Sequence, residues 1–377
     1  MRIIVVGGGV IGLLTAIECV RVGARVDLVD QAGVPGAQAT SNDRYRIVRA
    51  LHRGDAALTL AGARARQGWA DLEHLMAGRW YQRTGVLTVL PAGELAASLA
   101  LLAAAGVTGQ AVPTAALPGR YPQLRLPAGQ AAVLEPDAGA VLAGEALHAL
   151  ASWLRAQPDV TVHPAHRVTA VAGTPVVRLA DGTRLAGDGV AVAAGPWSRE
   201  LLPAVASGLT LMRQTMLAYT PSPGAAGWAG SPAVLGLGRG HDAWLMPAAA
   251  GPSARLSAAS ACRPAPALAG RDSPAVWRDH LTGRFAGLLA GFDPAAVTGA
   301  TDGYYLTDPA GLGPRLAALG PRVWTYPACG GMSFKLAPLV AAALADRVLG
   351  RPPRPAGLDA IDRPSQLATA PEANVRR

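Results

Sequence analysis

Blocks of β-branched and aliphatic residues alternate along the chain with stretches in which apolar positions recur at three- and four-residue intervals. The first block, Ile3, Ile4, Val5 and Val6, has no polar face and predicts a strand buried on both sides. Beyond a run of three glycines, Val10, Ile11, Leu13, Leu14 and Ile17 follow helical spacing, and residues 24–29 predict a second strand. Helical spacing returns at 58–75, with Leu60, Trp69, Leu72 and Leu75 as core candidates, and again at 93–105, 147–157, 274–289 and 339–349. Strands are expected at 83–90, 160–163, 166–171, 189–194, 211–219, 243–247, 255–259 and 323–326, with a strand, turn and strand edge over 132–141. Residues 176–185 predict a hairpin turning on Asp181 and Gly182, whereas 31–40 and the proline-rich 113–127 read as irregular and the polar end from 364 as frayed. The fold class is therefore a mixed α/β (α+β) chain that opens as strand–helix–strand and has a strand-rich second lobe over 210–320.

The turn between the first strand and helix carries candidate chemistry. Gly7, Gly9 and Gly12 stand at GxGxxG spacing. The first glycine permits the tight turn, the second lets a pyrophosphate approach the backbone, and the third lets the helix pack on the strand. Val10 and Ile11 begin the helix, whose free N–H groups and positive dipole end suit phosphates. Asp30 ends the second strand, about 20 residues on, where a carboxylate accepts hydrogen bonds from an adenosine ribose. That carboxylate favours FAD or NAD over NADP, whose extra phosphate it repels, and leaves FAD and NAD both open.

Composition narrows the partners. A chain of 377 residues, half of them hydrophobic, exceeds the usual single domain, so two are expected. No apolar run has membrane-spanning length with clean flanks, and the chain starts on its first strand, so a cytoplasmic protein without a signal peptide is expected. The net charge of +9 comes from arginines scattered singly, with no basic run and no aromatic interleaving, which speaks against nucleic acid. Lys335 is the one lysine, so it is singled out for a role. Cys19, Cys262 and Cys329 lack metal-ligand or CxxC spacing, and His163 and His166 lack acidic or cysteine company, so no metal is expected. Arg46 and Arg49, three apart, are placed on one face of a helix or turn, with a solvated cationic face as the plainer alternative. Residues 189–194 end in Ala193, Ala194 and Gly195, a backbone against which an extended ligand can lie.

Four islands in order carry a resemblance that spans nearly the whole chain. They are the glycine turn with Asp30; Tyr45, Arg46, Ile47, Val48, Arg49; Ala193, Ala194, Gly195, Pro196, Trp197; and Gly330, Gly331, Met332, Ser333, Phe334, Lys335. With these the chain resembles the FAD-dependent amine and amino-acid oxidoreductases related to D-amino-acid oxidase, most of all the branch of monomeric sarcosine oxidase and N-methyltryptophan oxidase. The resemblance implies a Rossmann-like FAD-binding domain made of 1–82, 143–208 and 320–377, and a second domain of 83–142 and 209–319 on an antiparallel or mixed sheet that holds the substrate. It implies that Arg49 and Lys335 together hold a substrate carboxylate and that Arg46 lies close to the flavin. Ser41, Val168, Ala194, Gly195 and Trp197 fall on the cofactor side, and the turn from Gly330 to Phe334 faces the flavin ring, where its N–H groups stabilise the anionic reduced form.

Two departures from that family shape the expectation. Sarcosine oxidases attach FAD through a cysteine near the Tyr304 region; residues 300–307 contain none, so non-covalent FAD is expected, and Cys329 does not match the attachment position. At the position of the family's O2-activating lysine this chain has Arg255, which keeps the charge but does not readily lose a proton, and Ala259 replaces a neighbouring histidine. The expected reaction is FAD-dependent oxidation of the C–N bond of a carboxylate-bearing amine to an imine, with O2 or another acceptor and Tyr304 as a pocket wall or core residue. A flavin dehydrogenase acting on a biosynthetic intermediate, an NAD-dependent Rossmann dehydrogenase and a non-catalytic flavin-binding protein remain as alternatives.

Overall fold

The computed structural model describes residues 1–206, 208–249, 251–309, 316–327 and 330–354; Cys329 lies outside the described residues. Among these, the opening strand Arg2–Val6 is central in a six-stranded sheet. Its order is Ala317–Gly320, Val323–Thr325, Gly189–Val192, Arg2–Val6, Arg25–Val29, Val160–His163. Every neighbouring pair is parallel except the edge pair Ala317–Gly320 with Val323–Thr325. Side chains alternate across a strand, and the two faces of the first strand show why no polar position occurs there. Ile3 and Val5 point into the main core with the helices Val10–Val20, Ala143–Arg155 and Ala337–Leu349. Ile4 and Val6 point into a second core with Val177 and Leu179 from the antiparallel meander Val168–Val171, Val176–Leu179 and Arg184–Ala186.

A nine-stranded sheet forms the other lobe. It runs Cys262–Pro264, Thr210–Tyr219, Ala254–Ala258, Ala243–Met246, Ala233–Leu237, Val86–Pro91, Gln130–Glu135, Gln110–Val112, and the long strand Val297–Thr307 also pairs with Thr210–Tyr219. One face carries Leu217, Leu245 and Leu256, which pack with Leu281 and Phe285 of the helix Ala275–Leu288. The pairing register puts Met216, Trp244, Met246 and Arg255 on the opposite face. A small sheet, Tyr45–Val48, Gly139–Leu142 and Tyr81–Gln82, contributes Tyr45, Val48, Ala140 and Val141 to the main core.

Several sequence expectations are corrected. Residues 45–48 are a strand, not a helix or turn, so Arg46 and Arg49 do not share a face: three residues apart on extended chain, side chains point to opposite sides. The strands Ala233–Leu237 and the full Val297–Thr307 escaped the pattern because glycines interrupt their apolar runs, and Ala317–Gly320 because it is short and carries no β-branched or aromatic residue. The proline-rich segment contains a short helical turn, Leu117–Arg120. Among the described residues no helix is long and apolar enough to cross a membrane.

Candidate active site

Residues of the six-stranded sheet and of the open face of the nine-stranded sheet line a cavity of about 520 Å³. At one end it is lined by Gly7, Gly9, Val10, Ile11, Asp30, Ser41 and Val168, and at the other by Trp244, Met246, Arg255, Tyr305, Phe334 and Lys335. The three motif glycines are needed for different reasons. Gly7 has φ +108° and a Cβ there would lie 2.4 Å from Ala193 O; a Cβ at Gly12 would lie 1.8 Å from Gly7 O. Gly12 is thus a packing glycine off the cavity wall. A Cβ at Gly9 would meet only Ser41 Oγ at 3.4 Å and Ala39 Cβ at 3.9 Å, so the protein itself leaves room there.

Gly9 is the N-cap of the first helix and supplies no side-chain cap; the Val10 N–H donates to Ser41 Oγ at 3.2 Å. Other N–H groups of the first turn have no helical partner by construction, so a phosphate suits them. Asp30 Oδ2 accepts from the Gly8 N–H at 2.6 Å and Oδ1 from the Ala32 N–H at 2.8 Å, which fixes the carboxylate at the cavity edge with lone pairs remaining on both oxygens. Ala194, Gly195 and Trp197 also line the cavity, and a Cβ at Gly195, φ +56°, would meet no protein atom within 4 Å. A helix end whose N-cap glycine supplies no side chain, glycines that leave open space and a cavity lined by a carboxylate fit a dinucleotide.

The far end is built from charges that the sequence did not link. Asp43, almost fully buried, bridges two cavity-lining arginines: Arg46, which it pairs through Nη1, and Arg255, whose Nη2 donates at 2.7 Å. Burial pushes the Asp43 pKa up, but the charges of Arg46 and Arg255 with the Arg44 N–H outweigh it and hold the carboxyl well below the usual range. Arg255 also donates to Thr301 Oγ1 at 2.9 Å. Arg46 reaches the Thr40 carbonyl, and its Cζ lies 5.9 Å from the Phe334 ring centroid. Trp69 stacks on Phe334 at 4.8 Å, and its indole N–H lies 3.3 Å from the carbonyls of both Phe334 and Lys335.

Lys335 is 8% exposed and lines the cavity, with Nζ 2.6 Å from His52 Nε2. Burial, then the charges of Lys335 and Arg49, push the His52 pKa down to about 2, so its imidazole is neutral. Arg49 is not on the cavity lining; its Nη1 is buried with no hydrogen-bond partner among the described residues, and burial pulls its pKa down against the opposing charge of Glu135.

The remaining residues are placed as follows. Tyr304 lies on the cavity lining and is also buried in a core with Leu211 and Leu306, its hydroxyl donating to Gly270 O at 3.3 Å. Tyr305, one residue on with its side chain on the other face of the strand, also lines the cavity; it donates to Gln214 Oε1 at 3.3 Å and lies 2.9 Å from Cys262 Sγ. Met332 packs into the main core, while Gly330, Gly331, Ser333 and Phe334 line the cavity. His163 does have an acidic neighbour, since its Nε2 lies 2.8 Å from Asp27 Oδ1, but that carboxylate already holds Arg2.

Residues 2–347 match the family described as FAD dependent oxidoreductase (DAO). The chain belongs to this family. FAD is its cofactor, which settles the choice between FAD and NAD left open by the glycine turn. Peroxisomal sarcosine oxidase of Homo sapiens is 29% identical over 202 residues, 53% of this chain and 51% of that protein. Monomeric sarcosine oxidase of Bacillus sp. (strain B-0618) is 24% identical over 205 residues, 53% of this chain and 52% of that one. The chain thus spans about half the length of the curated relatives it matches. Its fold is shared by NikD, an unusual amino acid oxidase essential for nikkomycin biosynthesis, at TM-score 0.75 and 18% identity over 92% of this chain and 93% of that one. Glycine oxidase from Bacillus cereus ATCC 14579 aligns at TM-score 0.73 and 15% identity, over 93% and 95% of the two chains.

Proposed function

We propose that this FAD-dependent oxidoreductase oxidises the C–N bond of a carboxylate-bearing amine, an amino acid or N-alkyl amino acid, to the imine. The observation that carries the reading is the buried, unpartnered Nη1 of Arg49, whose charge acts on His52, the neighbour of the buried, cavity-lining Lys335: a guanidinium taken out of water calls for an anion. When bound, FAD would supply the electron sink for a hydride equivalent from the C–H beside the nitrogen, so that the amine is oxidised to an imine that water hydrolyses. The chain supplies binding and orientation. Lys335 on the cavity lining meets the carboxylate, with Arg49 behind the lining adding positive charge, while Leu235, Trp244 and Met246 on the open sheet face give an apolar wall for the rest of the substrate. The acids on the described cavity lining are Asp30, Asp43 and Glu200. Asp43 is held by two arginines, so the wall beside Trp244 offers the amine no counter-charge and favours its neutral form.

The Arg255–Asp43 pair favours a second reading of the acceptor. An arginine clamped at 2.7 Å to a buried carboxylate is a poor proton donor, so electrons pass to an acceptor other than O2. A panel of amino acids and N-alkyl amino acids, read for anaerobic flavin bleaching, peroxide and dye reduction, tests both readings. Bleaching by at least one compound with dye reduction and little peroxide is expected. No bleaching with any compound overturns the amine reading, and peroxide in proportion to turnover overturns the acceptor reading. FAD is held without a covalent bond, since no cysteine is on the described lining; acid precipitation should leave a colourless pellet.

A further inference from the structure

One part of the open sheet face is polar, and its hydrogen bonds can run in one direction only. Ser257 is fully buried and its hydroxyl donates to the Thr215 carbonyl at 2.6 Å; a carbonyl only accepts, so the single hydroxyl hydrogen is spent there. Ser257 Oγ therefore accepts from Gln214 Nε2 at 3.2 Å, which turns the Gln214 side-chain oxygen toward Tyr305. The Tyr305 hydroxyl donates to that oxygen at 3.3 Å and has no second hydrogen, so across the 2.9 Å contact with Cys262 Sγ the thiol is the donor. Gln214 and Tyr305 line the cavity, whereas Ser257 and Cys262 are off its lining. The strand register sets Gln214 beside Gly303, where a Cβ would meet only Met216 Cε within 4 Å, at 3.5 Å, so the protein leaves room next to this amide.

What the two lining residues have left is one N–H on Gln214 and lone pairs on Gln214 Oε1 and on the Tyr305 oxygen: more acceptors than donors, and no charge. Burial is the first cause of the upward shift of the Tyr305 pKa, so the phenol keeps its hydrogen. We propose that Gln214 and Tyr305 form a specificity subsite for the far end of the substrate, past the apolar wall, and that this end bears an uncharged hydrogen-bond donor such as a hydroxyl. This rests on the reading that the substrate carboxylate is met at Lys335. A hydrocarbon end would take water from these groups and give no bond in return. A second carboxylate would bring lone pairs to a wall that is mostly lone pairs.

The test titrates FAD-loaded wild type, Tyr305→Phe and Gln214→Leu with benzoate and with benzoates bearing a hydroxyl, a methyl or a second carboxylate at position 3 or 4, followed by flavin absorbance. Hydroxyl and methyl are close in size, so the ratio of their affinities reads the hydrogen bond, which a merely structural role of either residue does not move. At one of the two positions wild type should bind the hydroxyl compound about tenfold more tightly than the methyl compound, and the dicarboxylate more weakly than either. In both variants the ratio should fall to about threefold or less, with the affinity for plain benzoate kept within about threefold. Methyl compounds bound as tightly as hydroxyl compounds by wild type at both positions overturn the proposal, as does a hydroxyl preference that survives in both variants or a dicarboxylate that binds best. If benzoate itself does not bind wild type, the carboxylate reading fails and takes the proposal with it; if benzoate binds and the hydroxyl gains nothing, only the subsite fails. Should neither variant retain FAD, the wild-type ranking decides by the same outcomes.

Discussion

Asp43→Asn separates the charge network from the rest of the site. The Asp43 side chain is 3% exposed and holds Arg46 and Arg255, whose side chains are 21% and 14% exposed. Asparagine keeps one acceptor oxygen for the Arg44 N–H but removes the charge that two guanidinium groups share. Breaking a buried ion pair from one side costs about 3–5 kcal/mol, because the remaining charge is left without compensation. Both arginines keep some access to water, so the low end applies, about 3 kcal/mol. The comparison is Glu94→Gln, which removes the partner of Arg53 at the same 2.8 Å range but with side chains 43% and 31% exposed. Solvent screens that pair, and its loss is expected to cost about 0.2–1 kcal/mol. Urea unfolding of the FAD-loaded proteins measures both. If Asp43→Asn is no more costly than Glu94→Gln, the arginines are not held by Asp43 and the argument about Arg255 fails.

Two further predictions concern the other side of the cavity. Trp69→Phe keeps the ring stack on Phe334 but removes the N–H that reaches the Phe334 and Lys335 carbonyls; a loss of about 1 kcal/mol and several-fold weaker benzoate binding are expected, and full retention of both in unfolding and titration experiments would show that the indole does not hold the turn. His52 has its folded pKa lowered from 6.5 to about 2, so below pH 6.5 the unfolded chain takes up a proton that the native protein refuses, and stability falls with pH. Between pH 7.5 and pH 5 that contribution is about 2 kcal/mol, and urea unfolding of wild type against His52→Gln should show it; an identical pH response in both would refute it.

The parts of the site that can be read along the chain are those whose partners are close in sequence or whose role is backbone geometry. The strand, glycine turn, helix and Asp30 form one continuous segment, and Ala194, Gly195 and the turn before Lys335 announce themselves by small residues. Asp43 and His52 carry no such signature: Asp43 meets Arg255 across 212 residues, and His52 meets Lys335 across 283. Each looks like an ordinary polar loop residue until the two lobes come together. Tyr304 and Tyr305 are adjacent and alike, and only the pairing of Val297–Thr307 with Thr210–Tyr219 determines which ring enters the core with Leu211 and Leu306. The arginine segment misled for a related reason, because a three-residue spacing joins faces on a helix and separates them on a strand.

The carboxylate clamp is tested most directly by the affinity of the FAD-loaded protein for benzoate, measured by flavin absorbance in wild type and in Lys335→Met. Methionine fills the space of the lysine stem without its charge, and FAD should remain bound. Removing one charged partner of a desolvated carboxylate predicts saturable wild-type binding that weakens about 100-fold in the variant. Equal affinity in the two proteins would contradict the account.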